Sequence, residues 1–60
     1  MKVIELLDLT VCEVVAIRQS GKTLFAGTVE NVPYKYVRRE VIAFGLGDYD
    51  DHLAGLIINI

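Results

Sequence analysis

Two segments, "VCEVVAIR" at 11–18 and "LAGLIINI" at 53–60, carry apolar side chains on both faces of an extended strand. In the first, Val11, Val15 and Ile17 share a face with Glu13, and Cys12, Val14 and Ala16 share the other with Arg18. A surface strand with one wet face alternates polar and apolar residues, and neither segment does. Such strands require a sheet covered on both sides, a small closed barrel, or a sheet buried by another chain. The terminal strand is therefore expected at the centre of the sheet or across a subunit interface.

Size sharpens that demand. The chain has 60 residues, which makes one domain, and a chain this short buries only ~60% of its unfolded surface. Cys12 is the only cysteine, so no internal disulfide can staple it, and one Cys with one His gives little basis for a zinc site. With 53% hydrophobic residues and a mean hydropathy of +0.45, self-association is the expected source of extra stability. A net charge of −2 and a pI near 5.1 argue against nucleic-acid binding by the whole surface. Glu5, Asp8 and Glu13 interrupt the apolar start, which breaks both a signal-peptide core and a membrane span. The expectation is a cytoplasmic chain with no membrane partner; an unpaired cysteine suits a reducing compartment.

Along the chain, Val3, Leu6 and Leu7 stand at helical spacing, while Val3, Glu5, Leu7 and Leu9 also fit strand alternation; a short helix over 3–9 is the reading taken. A β-branched strand over 11–18 is followed by a Gly21 turn and a second strand over 23–32. Gly27 within that strand implies a bulge, a bend, or close packing under Phe25 or Phe44. Val32 is biased to extended backbone by Pro33, which opens a helical turn over 33–38 whose Tyr36 and Val37 point inward. Strands over 40–46 and 53–60 complete the order, with Ile42, Phe44 and Leu46 sharing one side of the third. The fold class is mostly β, with α+β as the alternative. It is a small antiparallel sheet or an SH3-like or Sm-like barrel of about four strands, with the N-terminal helix and one helical turn.

Few residues suggest chemistry. Asp48, Asp50, Asp51 and His52 in "GDYDDH" offer metal-binding atoms, but their spacing matches neither a calcium loop nor a zinc motif, and the stretch reads as a polar connection. Tyr49 at its tip is a candidate contact. Cys12 lies in an apolar strand with no base required beside it, Ser20 and His52 form no triad, and the five glycines make no phosphate loop. No catalytic residue, metal or cofactor is expected, and an enzyme is not. The stretch "NVPYKYVRRE" differs in kind: Lys35, Arg38 and Arg39 interleave with Tyr34 and Tyr36, a composition that stacks on bases, grips phosphate or meets an acidic protein surface. The plain alternative is that Tyr36 caps the core, Arg38 pairs with Glu40 or Glu30, and Lys35 is solvated.

"SGKTLFAGTVENVPYKYVRREVIAF", an acidic connection and "LAGLIINI" together resemble a set of very small proteins from phages, prophages and mobile elements of Gram-positive gut bacteria. Gly27, Asn31, Val32, Pro33, Arg39, Glu40 and Val41 carry the resemblance, which spans nearly the whole chain; the longer "GLGDYDDHLAG" departs from it. The resemblance implies an origin and a fold and brings no activity. The functional expectation is a non-enzymatic, homo-oligomeric binding protein that occludes or sequesters a protein partner through Tyr34, Lys35, Arg38, Arg39 and Tyr49. A nucleotide or nucleic-acid binder using the same basic cluster, and a minor structural component, are the alternatives.

Overall fold

The computed structural model describes residues 1–48 and 54–60. Seven elements follow one another: α1 (Val3–Leu9), β1 (Val14–Gln19), β2 (Lys22–Thr28), a 3₁₀ turn (Val29–Asn31), α2 (Tyr34–Val37), β3 (Ala43–Asp48) and β4 (Ala54–Asn59). The four strands form one sheet in the order β2-β1-β4-β3. The expected sheet-dominated architecture, with its N-terminal helix and its helical turn near 33–38, is present.

Two antiparallel hairpin pairs build this sheet, β1 with β2 and β3 with β4. They are joined by a parallel seam that sets Val15 beside Leu56 and Ile17 beside Ile58. The sheet is therefore mixed rather than wholly antiparallel, and its linear order leaves β2 and β3 as edges rather than closing a barrel. The reason lies in the connection. After β2 the chain crosses back through the 3₁₀ turn and α2, so β3 and β4 arrive as a hairpin whose second strand runs alongside β1. The expectation of a central terminal strand is met, since β4 is flanked by β1 and β3.

At the first hairpin, Ser20 (φ 53°) and Gly21 (φ 81°) both occupy the left-handed region, as a two-residue turn matched to strand twist requires. The Arg18 guanidinium donates to the Gly21 carbonyl at 2.7 Å and braces that turn. A bulge between Ile17 and Arg18 interrupts the ladder just before it. Gly27 is explained by the Phe25 ring, whose Cζ lies 3.0 Å from where a Cβ would stand.

Cross-strand partners share a face, so the register sorts the side chains. Phe25, Val15, Ile17, Leu56, Ile58, Phe44 and Leu46 belong to one face; Ala26, Ala16, Ile57 and Gly45 belong to the other. α1 sends Val3, Leu6 and Leu7 onto the first face, where they form a buried cluster with Val15, Ile17, Leu56, Ile58 and Ile60. Tyr36 and Val37 of α2 pack against its border, as their spacing predicts. α1 is pinned at its start: the Glu5 carboxylate accepts the Lys2 N–H at 2.9 Å, and the Val3 N–H donates to the Arg39 carbonyl at 2.9 Å. The competing strand reading of 3–9 is thus replaced by a helix whose buried residues are the three at helical spacing.

Several boundaries differ from the sequence reading. β1 begins at Val14 rather than Val11, because Thr10 to Glu13 lead the chain down from α1; the Thr10 Oγ1 accepts the Cys12 N–H at 3.1 Å, and Val11 is left 97% exposed. β2 ends at Thr28, where the Asn31 side-chain amide donates to the Thr28 hydroxyl at 2.9 Å and the 3₁₀ turn begins. On the back face, Gly47 is required by contact, since a Cβ there would meet the Ile57 Cγ1 at 2.8 Å, whereas a Cβ at Gly45 would meet nothing within 4 Å. Gly47→Ala is expected to destabilise the protein by about 1–3 kcal/mol through overpacking. Gly45→Ala should leave stability unchanged or slightly raised. Thermal unfolding of the two variants checks this contrast.

Candidate functional site

Two surfaces stand out, one basic and one apolar. The basic surface is the α2 segment. Pro33 presets the turn, and the Tyr36 N–H closes it onto the Pro33 carbonyl at 2.9 Å. Tyr36 and Val37 face inward, which leaves Tyr34, Lys35, Arg38 and Arg39 exposed. The Arg38 guanidinium lies over the Tyr34 ring at 5.0 Å from its centroid, and the Lys35 ammonium over the Tyr36 ring at 5.2 Å. The i to i+4 spacing on the turn brings Tyr34 and Arg38 together, while Lys35 meets its neighbour Tyr36. Each cation–π contact at an exposed site is worth roughly 0.5–1 kcal/mol. Tyr34 is still 68% exposed, so its second ring face is open. Tyr49, Asp50, Asp51 and His52 lie outside the described residues; Asp48 is placed, exposed at the end of β3.

Lys2 joins this surface from the far end of the sequence, which residue spacing could not reveal. Residues 2 and 40 form a single antiparallel bridge. The bridge brings the Lys2 Nζ to 3.4 Å from the Arg38 carbonyl, which accepts, and to 3.5 Å from the Glu40 carboxylate. The terminal ammonium of Met1 lies 3.3 Å from the same carboxylate. Glu40 thus pairs with the N-terminal segment, and the alternative in which it neutralises Arg38 is not what the structure contains. Its carboxyl is held below the usual range, first by the hydrogen bond from the terminal ammonium and then by that group's charge, with Lys2 adding to both effects.

The apolar surface was not among the expected sites. On the helix-covered face, α1 and α2 shelter the rows of β1 and β4 and stop short of β3. Ile42, Phe44 and Leu46 remain 78%, 54% and 76% exposed. Opposite them the end of α1 and the following residues present Leu9, 73% exposed, and Val11. Between the two sides runs an open groove of about 360 Å³, floored by Leu6 and Leu56 and walled by Leu9, Val11, Phe44 and Leu46. The alternation of Ile42, Phe44 and Leu46 was legible in the sequence. That no helix would cover it was not. A second depression of about 440 Å³ is lined by Cys12, Glu13, Thr28, Val29 and Glu30. Cys12 is half-buried and packs against the core, as a small apolar residue would.

Comparison with known families, with curated proteins and with solved structures found no match. Among the described residues, no helix is long and apolar enough to cross a membrane.

A carboxyl held lower in the folded state than the unfolded value of ~4.3 contributes stability above that value and loses it as pH falls through the folded value. Glu40→Gln is therefore expected to lower the melting temperature slightly at pH 7. The difference from the parent protein should vanish near pH 2 and shrink in 1 M salt, as thermal scans in each buffer would show.

Proposed function

We propose that the chain is a small non-enzymatic interaction protein that associates with copies of itself and acts by occluding or sequestering a protein partner. The observation that carries this reading is the apolar groove bordered by Leu9, Val11, Phe44 and Leu46, continuous with the exposed Ile42. Surface of this kind, in a domain with so small an interior, is the usual mark of a protein–protein contact. On the back face, Ala26 and Gly45 are also exposed, and no described helix packs there. A phage or mobile-element origin and a cytoplasmic setting are part of the same proposal. Sedimentation velocity from 1 to 200 μM is the test. A concentration-dependent rise in mass is expected, and a monomer throughout would overturn the self-association half of the reading.

A second reading is supported by the open ring face of Tyr34 beside Lys35, Arg38 and Arg39, joined by Lys2. In it this surface takes a nucleotide or single-stranded nucleic acid, with the ring on a base and the cations on phosphate. It predicts binding to a fluorescent oligonucleotide that falls about tenfold or more between 50 and 200 mM salt and is lost in the Arg38→Glu, Arg39→Glu variant. Binding unchanged by that double substitution would remove it. A minor structural role remains the third proposal, tested by mass spectrometry of purified phage particles.

A further inference from the structure

The two edges of the sheet are built differently. β2 carries Lys22 at its start and is distorted by the bulge opposite Ile17 and Arg18, both of which discourage a further strand. β3, "AFGLGD", has one charge, Asp48, at its end, and two of its residues, Phe44 and Leu46, are large, apolar and exposed. An open edge of that kind is a template for pairing.

We propose that β3 pairs antiparallel with β3 of a second copy about a two-fold axis, so that the two four-stranded sheets become one of eight. This rests on the self-association proposed above and names its mode. Antiparallel self-pairing is isologous, so one strand satisfies both sides of the interface and the assembly closes as a dimer. In a continuous sheet, directly opposed residues share a face, which restricts the axis to a residue position. With the axis at Gly45, Phe44 meets Leu46 of the second copy, twice, on the helix-bearing face. Gly45 then meets itself where the strands cross, with open space above its Cα. An axis at Phe44 would instead pair only Ala43 to Gly45 within the strand and leave Leu46 to Asp48 beyond it.

Pairing at this edge covers what the single copy leaves open, since Phe44 and Leu46 are 54% and 76% exposed and no described helix reaches them. The pairing also sets the two grooves side by side, so that the walls formed by Phe44 and Leu46 are completed by the second copy.

The test uses the full chain in a Cys12→Ala background, with Gly45→Cys as the reporter and Thr23→Cys on the opposite edge as its control. Under mild oxidation the Gly45→Cys protein is expected to form a disulfide-linked dimer, and the Thr23→Cys protein to stay unlinked. Separately, Leu46→Lys is expected to weaken dimerisation by roughly 100-fold, since each copy loses an apolar contact and gains a charge. Far-UV circular dichroism confirms that it is folded, and Phe44→Ser, which removes the other side of the same contact, serves as a second variant should it not be. If the parent protein dimerises but neither variant weakens it and Gly45→Cys does not cross-link, the β3 pairing is wrong while self-association stands. A parent protein that remains monomeric overturns both.

Discussion

The parallel seam between β1 and β4 is the contact on which the rest of the structure depends. Without it the chain is two separate hairpins, each too small to be stable in water. The seam places Val15, Ile17, Leu56 and Ile58 in adjacent rows, and Val15, Ile17 and Ile58 are wholly buried there together with Val3 of α1. Burying each such side chain contributes about 1.5–3 kcal/mol, against a net stability of only ~0.05–0.15 kcal/mol per residue. Few positions in so small a domain can therefore be weakened without loss of the fold. The seam joins segments roughly forty residues apart, so its loop-closure entropy must be met before the core forms.

Consequences for the surface follow directly. Two short helices cover only the face over β1 and β4, because α1 has seven residues and α2 four. β3 is held in the sheet by β4 yet lies beyond the helices, and its apolar side chains are left open for that reason. The basic surface arises from the same economy. Pairing of Met1 to Val3 with residues 39–41 anchors α1 and carries Lys2 to the α2 segment, so that anchoring and charge clustering share one set of bonds.

Much of this was legible in the residue order. Val3, Leu6 and Leu7 announced α1, Gly21 the first turn, Pro33 the start of α2, and the apolar faces of 53–60 the central strand. Gly27 pointed to close packing, and Phe25 supplies it. What escaped was tertiary. Periodicity cannot distinguish a parallel from an antiparallel neighbour, so the seam was invisible. Val11 fits a strand by composition, yet the descent from α1 takes it out of the sheet. The 3₁₀ turn at Val29–Asn31 left only the faint signal of Thr28 and Asn31, two residues whose side chains bond each other. The basic cluster was found in part, since Lys2 is remote in sequence. The apolar groove was missed because whether a strand face is covered depends on helix length and placement.

Residue-resolved hydrogen exchange on the native protein tests the central role of the seam most directly. The slowest amides should be those of Val15 to Ile17 and Leu56 to Ile58, exchanging only by global unfolding, with β2 more labile. If β4 instead exchanged like a frayed terminus while the β1–β2 hairpin stayed protected, the seam would not hold the structure together and the account built on it would fail.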